Sequence, residues 1–389
     1  MKRTIAVVTS SRADYSHLYW PLKDLAAHPD VNLKLIVLAA HLSPAFGNTI
    51  HEIEQDGFTI TSRIECLLSS DTDIGMAKTL GLAVLGLAEA LAQMRPDLLL
   101  LIADRYEMLA PASVALTLRI PVAHIEGGEI SEGAIDDAVR NALTKMAHVH
   151  FTSTDAARAR VISMGEEPWR VHRAGAPSLD HLTRSKLLTR SELQHSLKID
   201  LKASPTVVAY HPVTLLQNTT EDADALFAAL AHIEGQIIFC YPNADAGSHS
   251  LMQRTHEFIR QHTDAHVFVN LSAVTYWSLL QHAGLLLGNS SSGIMEAASF
   301  ALPVVNVGLR QYGRERAPNI LDAEPHTASI LEKITTARSA AFRKSLRGMS
   351  NPYGDGHAAE RIVRVLTSVP LENLLRKRAF PEGEPSKHS

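Results

Sequence analysis

Seven carboxylates stand between Asp104 and Asp137: Asp104, Glu107, Glu126, Glu129, Glu132, Asp136 and Asp137. The same stretch holds two arginines, Arg105 and Arg119, and one histidine, His124. Asp104 closes the apolar run LLLLIAD, and Glu126 closes PVAHIE. If those runs are neighbouring strands, a spacing of about 5 Å puts both side chains within reach of one ligand. Carboxylates crowded together raise one another's pKa, which suits one to donate a proton and another to accept it. A solvated acidic rim would need no apolar strand feeding straight into a single acid, and here two do. Asp136 and Asp137 fall in the first turn of a helix, IDDAVRNALTK, where acids also complement the helix dipole. That structural role weighs more for Asp137 than for Asp136.

A second set of residues suits an anion. LLLGNSSSGIMEAASF reads as a buried strand, a polar turn and a helix start. Backbone N–H groups and the hydroxyls of Ser290, Ser291 and Ser292 there fit a pyrophosphate. Glu296 follows near the end of the first helical turn, where it can take two ribose hydroxyls or simply complement the dipole. GLRQYGRERAP brings Arg310, Arg314 and Arg316 towards the same region. AYHPVT ends a strand on His211, and YPNADAGS ends the next with Asn243 and Ser248. Arg12 opens the helix after the first strand, in TSSRADYSHL, where it can meet phosphate or pair with Asp14. No G-x-G-x-x-G stands there, so a nicotinamide or flavin dinucleotide is disfavoured. Metal sites look poor: His148 and His150 alternate on one strand, but no spaced carboxylate or cysteine completes a set.

These groups need a scaffold that ends many strands in one place. Strands are expected at 4–9, 33–39, 98–103, 122–125 and 149–152, alternating with helices at 15–27, 76–94, 107–118 and 135–147. The second half repeats the pattern, with strands at 207–210, 236–241, 267–269, 285–287 and 304–307 and helices at 222–231, 251–261, 273–282 and 330–337. Strand and helix in steady alternation mean βαβ units and parallel sheets. We read an α/β chain of two Rossmann-like domains facing across a cleft, at 1–177 and 178–356. A last helix, about 357–377, packs back on the first domain, and 378–389 is a disordered tail. Such domains bind ligands beyond the carboxyl ends of their strands.

The 389 residues are 46% hydrophobic and 20% charged, an ordinary globular composition that excludes collagen-like, disordered and coiled-coil chains. A net charge of −4 gives no basic field for nucleic acid. Cys66 and Cys240 each sit in an apolar run, so no disulfide framework is expected. No apolar stretch reaches the ~18–20 residues of a membrane span, and the opening MKRTIAVVTSSR reads as a strand and not a signal peptide. A cytoplasmic protein with no membrane partner is expected.

Laid out in order, the blocks SSRADYSHL, HLSPAFGNTIHEIEQDGF, ADRYE, HIEGGEISEGAIDDAVRNALTKMAH, HPVT, NADAGS, GNSSSGIMEA, GLRQYGRE and NPYGDG resemble the hydrolysing UDP-N-acetylglucosamine 2-epimerases of the sialic-acid pathway, over about residues 1–370. The resemblance implies a glycosyltransferase-B-like fold and a UDP-sugar substrate, with no metal or organic cofactor. The human bifunctional enzyme carries a kinase after such a module; here the epimerase activity alone is implied. The implied reaction is anti elimination of UDP to 2-acetamidoglucal, then hydration with inversion at C2, releasing N-acetylmannosamine. Block by block, Asp104, Glu126 and Asp136 match the catalytic acids and His211 the active-site histidine. Arg12, Ser16, Asn243, Ser290, Ser291, Ser292, Glu296 and Arg310 match positions holding UDP, with His41, Arg105 and His124 near the sugar. The SEGAIDD loop is one residue longer than in the human enzyme, which leaves Glu132 as an alternative to Asp136. The resemblance also implies a homodimer or homotetramer with helices of the first domain at the interface.

The first alternative keeps the chemistry and changes the sugar to UDP-2,4-diacetamido-2,4,6-trideoxyglucose, on the way to legionaminic acid. A non-hydrolysing epimerase is disfavoured by GGE and NADAGS. From another class, a nucleotide-sugar glycosyltransferase shares the scaffold but needs an acceptor.

Overall fold

Leu98–Ile102, apolar at every position, forms a strand buried at all five residues, because a parallel strand inside a doubly wound sheet is covered on both faces. A computed structural model describes residues 2–70, 72–131, 135–211, 220–241, 248–269 and 271–378. Those residues hold two parallel sheets. The first runs β3-β2-β1-β4-β5-β6-β7, from β1 (Arg3–Thr9), β2 (Val31–Leu38), β3 (Ile60–Ile64), β4 (Leu98–Ile102), β5 (Val122–Ile125), β6 (Val149–Thr152) and β7 (Val171–Arg173). The second runs β10-β9-β8-β11-β12-β13, from β8 (Thr206–Ala209), β9 (Ile237–Tyr241), β10 (Ala265–Val269), β11 (Leu285–Gly288), β12 (Val304–Val307) and β13 (Ile320–Ala323). In each, the chain order reverses beside the sheet's first strand, between β1 and β4 and between β8 and β11. Those switch points are where such sheets take ligands.

The chain divides into two compact units, one of Met1–Glu129, Ile135–Asp180 and Gly354–Ser389, the other of Ile130–Ala134 and His181–Tyr353. In the first unit, alternate strand residues feed two cores. Ile5, Val7, Leu98 and Leu100 face the helices Arg12–Ala27 and Ala358–Ser368. Ala6, Val8, Leu99 and Leu101 face the helices Asp73–Met94 and Leu109–Leu118. The C-terminal helix belongs to this first unit. The Asp180 carboxylate accepts from the Ala358 and Ala359 N–H groups at 2.8 Å each, a cap on its positive end. Arg3 donates to the Leu366 and Val369 carbonyls at the other end.

Three strands escape the sequence pattern: β3, β7 and β13. Each is a sheet edge, exposed or half-buried at most positions, so its composition lacks the apolar run that marks an interior strand. The helix Asp73–Met94 corrects another expectation, since by length and composition it is apolar enough to cross a membrane. Its residues Gly75, Thr79, Ala83, Leu87 and Leu91 are buried at four-residue spacing, a stripe packed on the core. Ile74, Leu82 and Leu85 lie exposed.

Candidate active site

β4 and β5 are neighbours, with Ile102 opposite Ile125. The chain leaves both strands through a left-handed residue, Ala103 at φ 59° and Glu126 at φ 65°. A non-glycine residue pays about 1 kcal/mol or more for that conformation. The ladder fixes it: Ala103 N–H donates to the Ile125 carbonyl at 3.0 Å and Glu126 N–H to the Phe151 carbonyl at 2.8 Å. Asp104 and Glu126 therefore stand beside each other at the carboxyl edge of the first sheet.

The acids are not a bare cluster. Arg140, buried on the helix Ile135–Met146, pairs with the Asp104 carboxylate and donates to the Glu129 carbonyl at 2.9 Å. Arg105 forks onto Glu107 at 3.0 and 3.3 Å. His17, on the first helix, lies 2.8 Å from Glu126 Oε1. Asp137 accepts from Asn141 at 3.1 Å. Asp136 is half-buried in the same helical turn. Glu132 lies outside the described residues. Asp14 is a further buried carboxylate, accepting from the Ser10 hydroxyl at 2.6 Å and the Ser10 N–H at 3.1 Å. Burial raises its pKa against the lowering pull of Arg105.

Other expected residues form the support of this edge. His41 is wholly enclosed between the Thr9 and Thr49 hydroxyls, at 2.9 and 2.8 Å. Burial pushes its ring down to about 3. His124 is equally enclosed, with Nε2 2.7 Å from the Ala103 carbonyl. A carbonyl only accepts, so Nε2 carries the proton, and burial pushes the ring down to about 4. His124 thus braces the turn that presents Asp104. Arg12 opens the first helix and meets Glu52 at 3.2 Å, and Ser16 donates to the Ala13 carbonyl. His148 and His150 belong elsewhere, in a buried network. There Glu166 accepts from Lys145 at 2.6 Å and Lys377 at 2.7 Å and meets His150 at 3.2 Å.

In the second unit, β8 and β11 end side by side, Ala209 opposite Gly288. Gly288 is at φ 141°, and a Cβ there would lie 2.1 Å from the Ala209 carbonyl oxygen, so only glycine fits. Asn289 then clasps His211 in both directions. Its Oδ1 accepts from the His211 N–H at 2.7 Å, and its Nδ2 donates to the His211 carbonyl at 2.8 Å. The Asn289 carbonyl accepts from Arg310 at 3.0 Å and Gln311 at 2.9 Å. Burial first, and Arg310 second, push the His211 ring down to about 3, so it is neutral at pH 7.

The serine turn differs in detail from expectation. Its helix runs only Ser291–Met295 before a 3-10 turn, Ala297–Phe300. Several of its N–H groups are already taken: those of Asn289 and Ser290 by the Ala209 carbonyl, and that of Gly293 by the Ser290 carbonyl. Hydroxyls and Arg310 therefore carry the anion reading more than bare backbone does. Tyr276 lies 2.6 Å from the Ser292 hydroxyl, which donates to Ser290 at 3.1 Å, a chain of hydroxyls behind the turn. Glu296 is buried at the helix end. Arg314 holds the Ile130 carbonyl and Ser131 hydroxyl, and Arg316 forks onto Asp322. Asn243 lies outside the described residues. Among those residues, no group of three or more His, Cys, Asp or Glu side chains is placed to hold a metal ion.

Sequence reasoning missed Arg140, His17, Asn289 and Tyr276. Arg140 was within reach, one helical turn after Asp137. Nothing in the local sequence joins His17 to Glu126 or Tyr276 to Ser292.

Known proteins resemble this chain over nearly its whole length. The profile of a family described as UDP-N-acetylglucosamine 2-epimerase matches residues 23–367. The chain is 38% identical over 375 residues to the UDP-N,N'-diacetylbacillosamine 2-epimerase (hydrolyzing) of Legionella pneumophila, covering 96% of this chain and 98% of that one. It is 35% identical over 381 residues to the GDP/UDP-N,N'-diacetylbacillosamine 2-epimerase (hydrolyzing) of Campylobacter jejuni, covering 97% and 98%. A solved UDP-GlcNAc 2-epimerase from Neisseria meningitidis, bound to UDP-GlcNAc, matches with a TM-score of 0.80 at 16% identity, over 93% of this chain and 99% of that one. At that identity the likeness speaks for the fold, two Rossmann-like domains of the glycosyltransferase-B-like class.

Proposed function

This chain belongs to the UDP-N-acetylglucosamine 2-epimerase family, and on that premise we propose that it is a hydrolysing 2-epimerase of a UDP-2-acetamido sugar. The observation that carries this reading is the pairing of two acids at the ends of adjacent strands, Asp104 after β4 and Glu126 after β5. A simple binder has no use for such a pair beside a hexose, whereas C2 chemistry needs it.

The proposed steps balance with protons alone. A carboxylate removes the C2 proton, the C1–O bond breaks, and its electron pair leaves with the UDP oxygen, giving the 2-acetamidoglucal. A carboxyl group then returns a proton to C2 on the other face while water adds at C1. One water is consumed, and UDP and the free manno-configured sugar are released. Asp104 and Asp136 handle protons at the sugar, and Glu126 assists water or proton transfer. Charge growing on the departing diphosphate is met by Arg12, Arg310 and the hydroxyls of Ser290, Ser291 and Ser292. His211, neutral and clasped by Asn289, is suited to hydrogen-bond the substrate. Ser16, Asn243 and Glu296 complete the nucleotide contacts, and Arg105, braced by Glu107, stands near the sugar with His41 and His124 behind it.

UDP-2,4-diacetamido-2,4,6-trideoxyglucose, that is UDP-N,N'-diacetylbacillosamine, is the proposed substrate, supported by the names of the 38% and 35% identical relatives. UDP-GlcNAc, placed first on sequence alone, becomes the second reading, supported by the description of the family. We further propose a homodimer or homotetramer. Its support is the exposed apolar face of the helix Asp73–Met94, with Ile74 and Leu85 68% and 69% exposed and Leu116 of the adjoining helix 58% exposed.

The test is to incubate the protein with each UDP-sugar and no acceptor, and to identify the products by NMR and mass. UDP with a free manno-configured sugar supports the reading. A glycosyltransferase would release little UDP, and a non-hydrolysing epimerase would return a UDP-linked sugar. Asp104→Asn should release UDP at under about one hundredth of the wild-type rate; wild-type turnover would remove Asp104 from the mechanism.

A further inference from the structure

Glu126 occupies a strained backbone position, and its carboxylate is only 10% exposed. Such a side chain needs its orientation fixed from outside the strand. A contact from the first helix does this: His17 Nδ1 lies 2.8 Å from Oε1. We propose that His17 is a positioning residue for Glu126, holding Oε1 and with it the orientation of the carboxylate towards the reacting sugar. This rests on the reading of Glu126 given above.

The two acids have partners of different kinds. Arg140 on Asp104 stays charged at any working pH. An imidazole can be cationic beside a carboxylate and neutral beside a carboxylic acid. Glu126 can therefore gain or lose a proton without leaving an uncompensated charge at a nearly buried position. That is the behaviour required of a group that passes a proton during hydration.

The neighbouring ionisable groups each have a partner of their own. On the same helix, Arg12 meets Glu52 and Asp14 takes Ser10. His124, two residues before Glu126 on β5, is held neutral by burial. On elements packed against the first helix, Asp180 caps Ala358 and Ala359, and Arg361 forks onto Asp355. From the helix beyond β5, Arg140 is taken up with Asp104.

The test compares His17→Ala and His17→Asn in the full-length protein, each alone and with Glu126→Gln. His17→Ala should lower kcat for UDP release about tenfold or more with KM little changed, and His17→Asn, whose amide N–H replaces Nδ1–H but not its charge, should recover part of the loss. In the Glu126→Gln background, His17→Ala should add almost nothing. An equal loss in both backgrounds, a loss confined to KM, or no rescue by asparagine would overturn the proposal. A second arm needs no turnover: the His17 ring, followed by NMR, should titrate at lower pH in Glu126→Gln than in wild type. An unchanged midpoint overturns the pairing. Should the wild-type protein release no UDP from either sugar, the proposed function fails, and the NMR arm still decides the pair.

Discussion

Asp104 was legible because an apolar run of strand length ends on it, and so was Glu126. Their partners were not legible. The stretch from Asp104 to Asp137 looks acidic only while it is read as a string. In space Arg140 arrives from the next helix and His17 from the first, and the supposed repulsion becomes an ion pair at Asp104 and a histidine contact at Glu126. Proximity along the chain overstates like-charge crowding, since a strand-end residue has neighbours from three or four elements. Arg140→Met should therefore do more than remove a cation. It leaves Asp104 without its buried partner, and urea denaturation should register a loss of about 3–5 kcal/mol. Adding Asp104→Asn should return part of that stability, because the uncompensated charge is then gone. Additive losses would mean that the pair is not a unit.

Among the elements, every strand inside a sheet carries an apolar run and was expected; the three that were not are edges. An edge strand has one partner and is wetter, so β3, β7 and β13 look like polar loops. The turns after the strands were visible as composition, but their geometry was not. GNSSSG announced a polar turn, yet the short helix and the Ala209 carbonyl that takes its first N–H groups depend on β8 lying beside β11. That adjacency makes a sharp prediction at Gly288. An alanine there would set a methyl against the Ala209 carbonyl in a backbone conformation hostile to side chains. Gly288→Ala should lower the stability of the second unit by about 2 kcal/mol or more and abolish UDP binding by calorimetry. Wild-type UDP affinity in that variant would show that the turn is not built as described.

For the whole molecule, buried histidines set the response to pH. Burial holds His41 near 3, and His124 and His148 near 4, against roughly 6.5 in an unfolded chain. Between those values the unfolded chain binds protons that the folded one refuses. Stability is thus full above about pH 7 and falls as pH drops through 6.5 towards 4, by up to about 1.4 kcal/mol per pH unit for each ring. Glu166 adds to this at lower pH. Burial would raise its pKa, but His150, Lys145 and Lys377 outweigh it and hold the group at about 2. Its stabilisation is present above about 4.5 and lost between there and 2. Urea midpoints at pH 7.5 and 5.5 should differ clearly, the lower pH being the weaker; equal midpoints would mean that these rings are solvated.

In the proposed reaction the C2–H bond breaks as UDP leaves and is remade with inversion as water adds. This is tested most directly by running the reaction in D2O and examining the free sugar by NMR and mass. The expected product is a manno-configured 2-acetamido sugar carrying one deuterium at C2, with one UDP per sugar. A gluco-configured product with hydrogen at C2 would be plain hydrolysis at C1 and would contradict it.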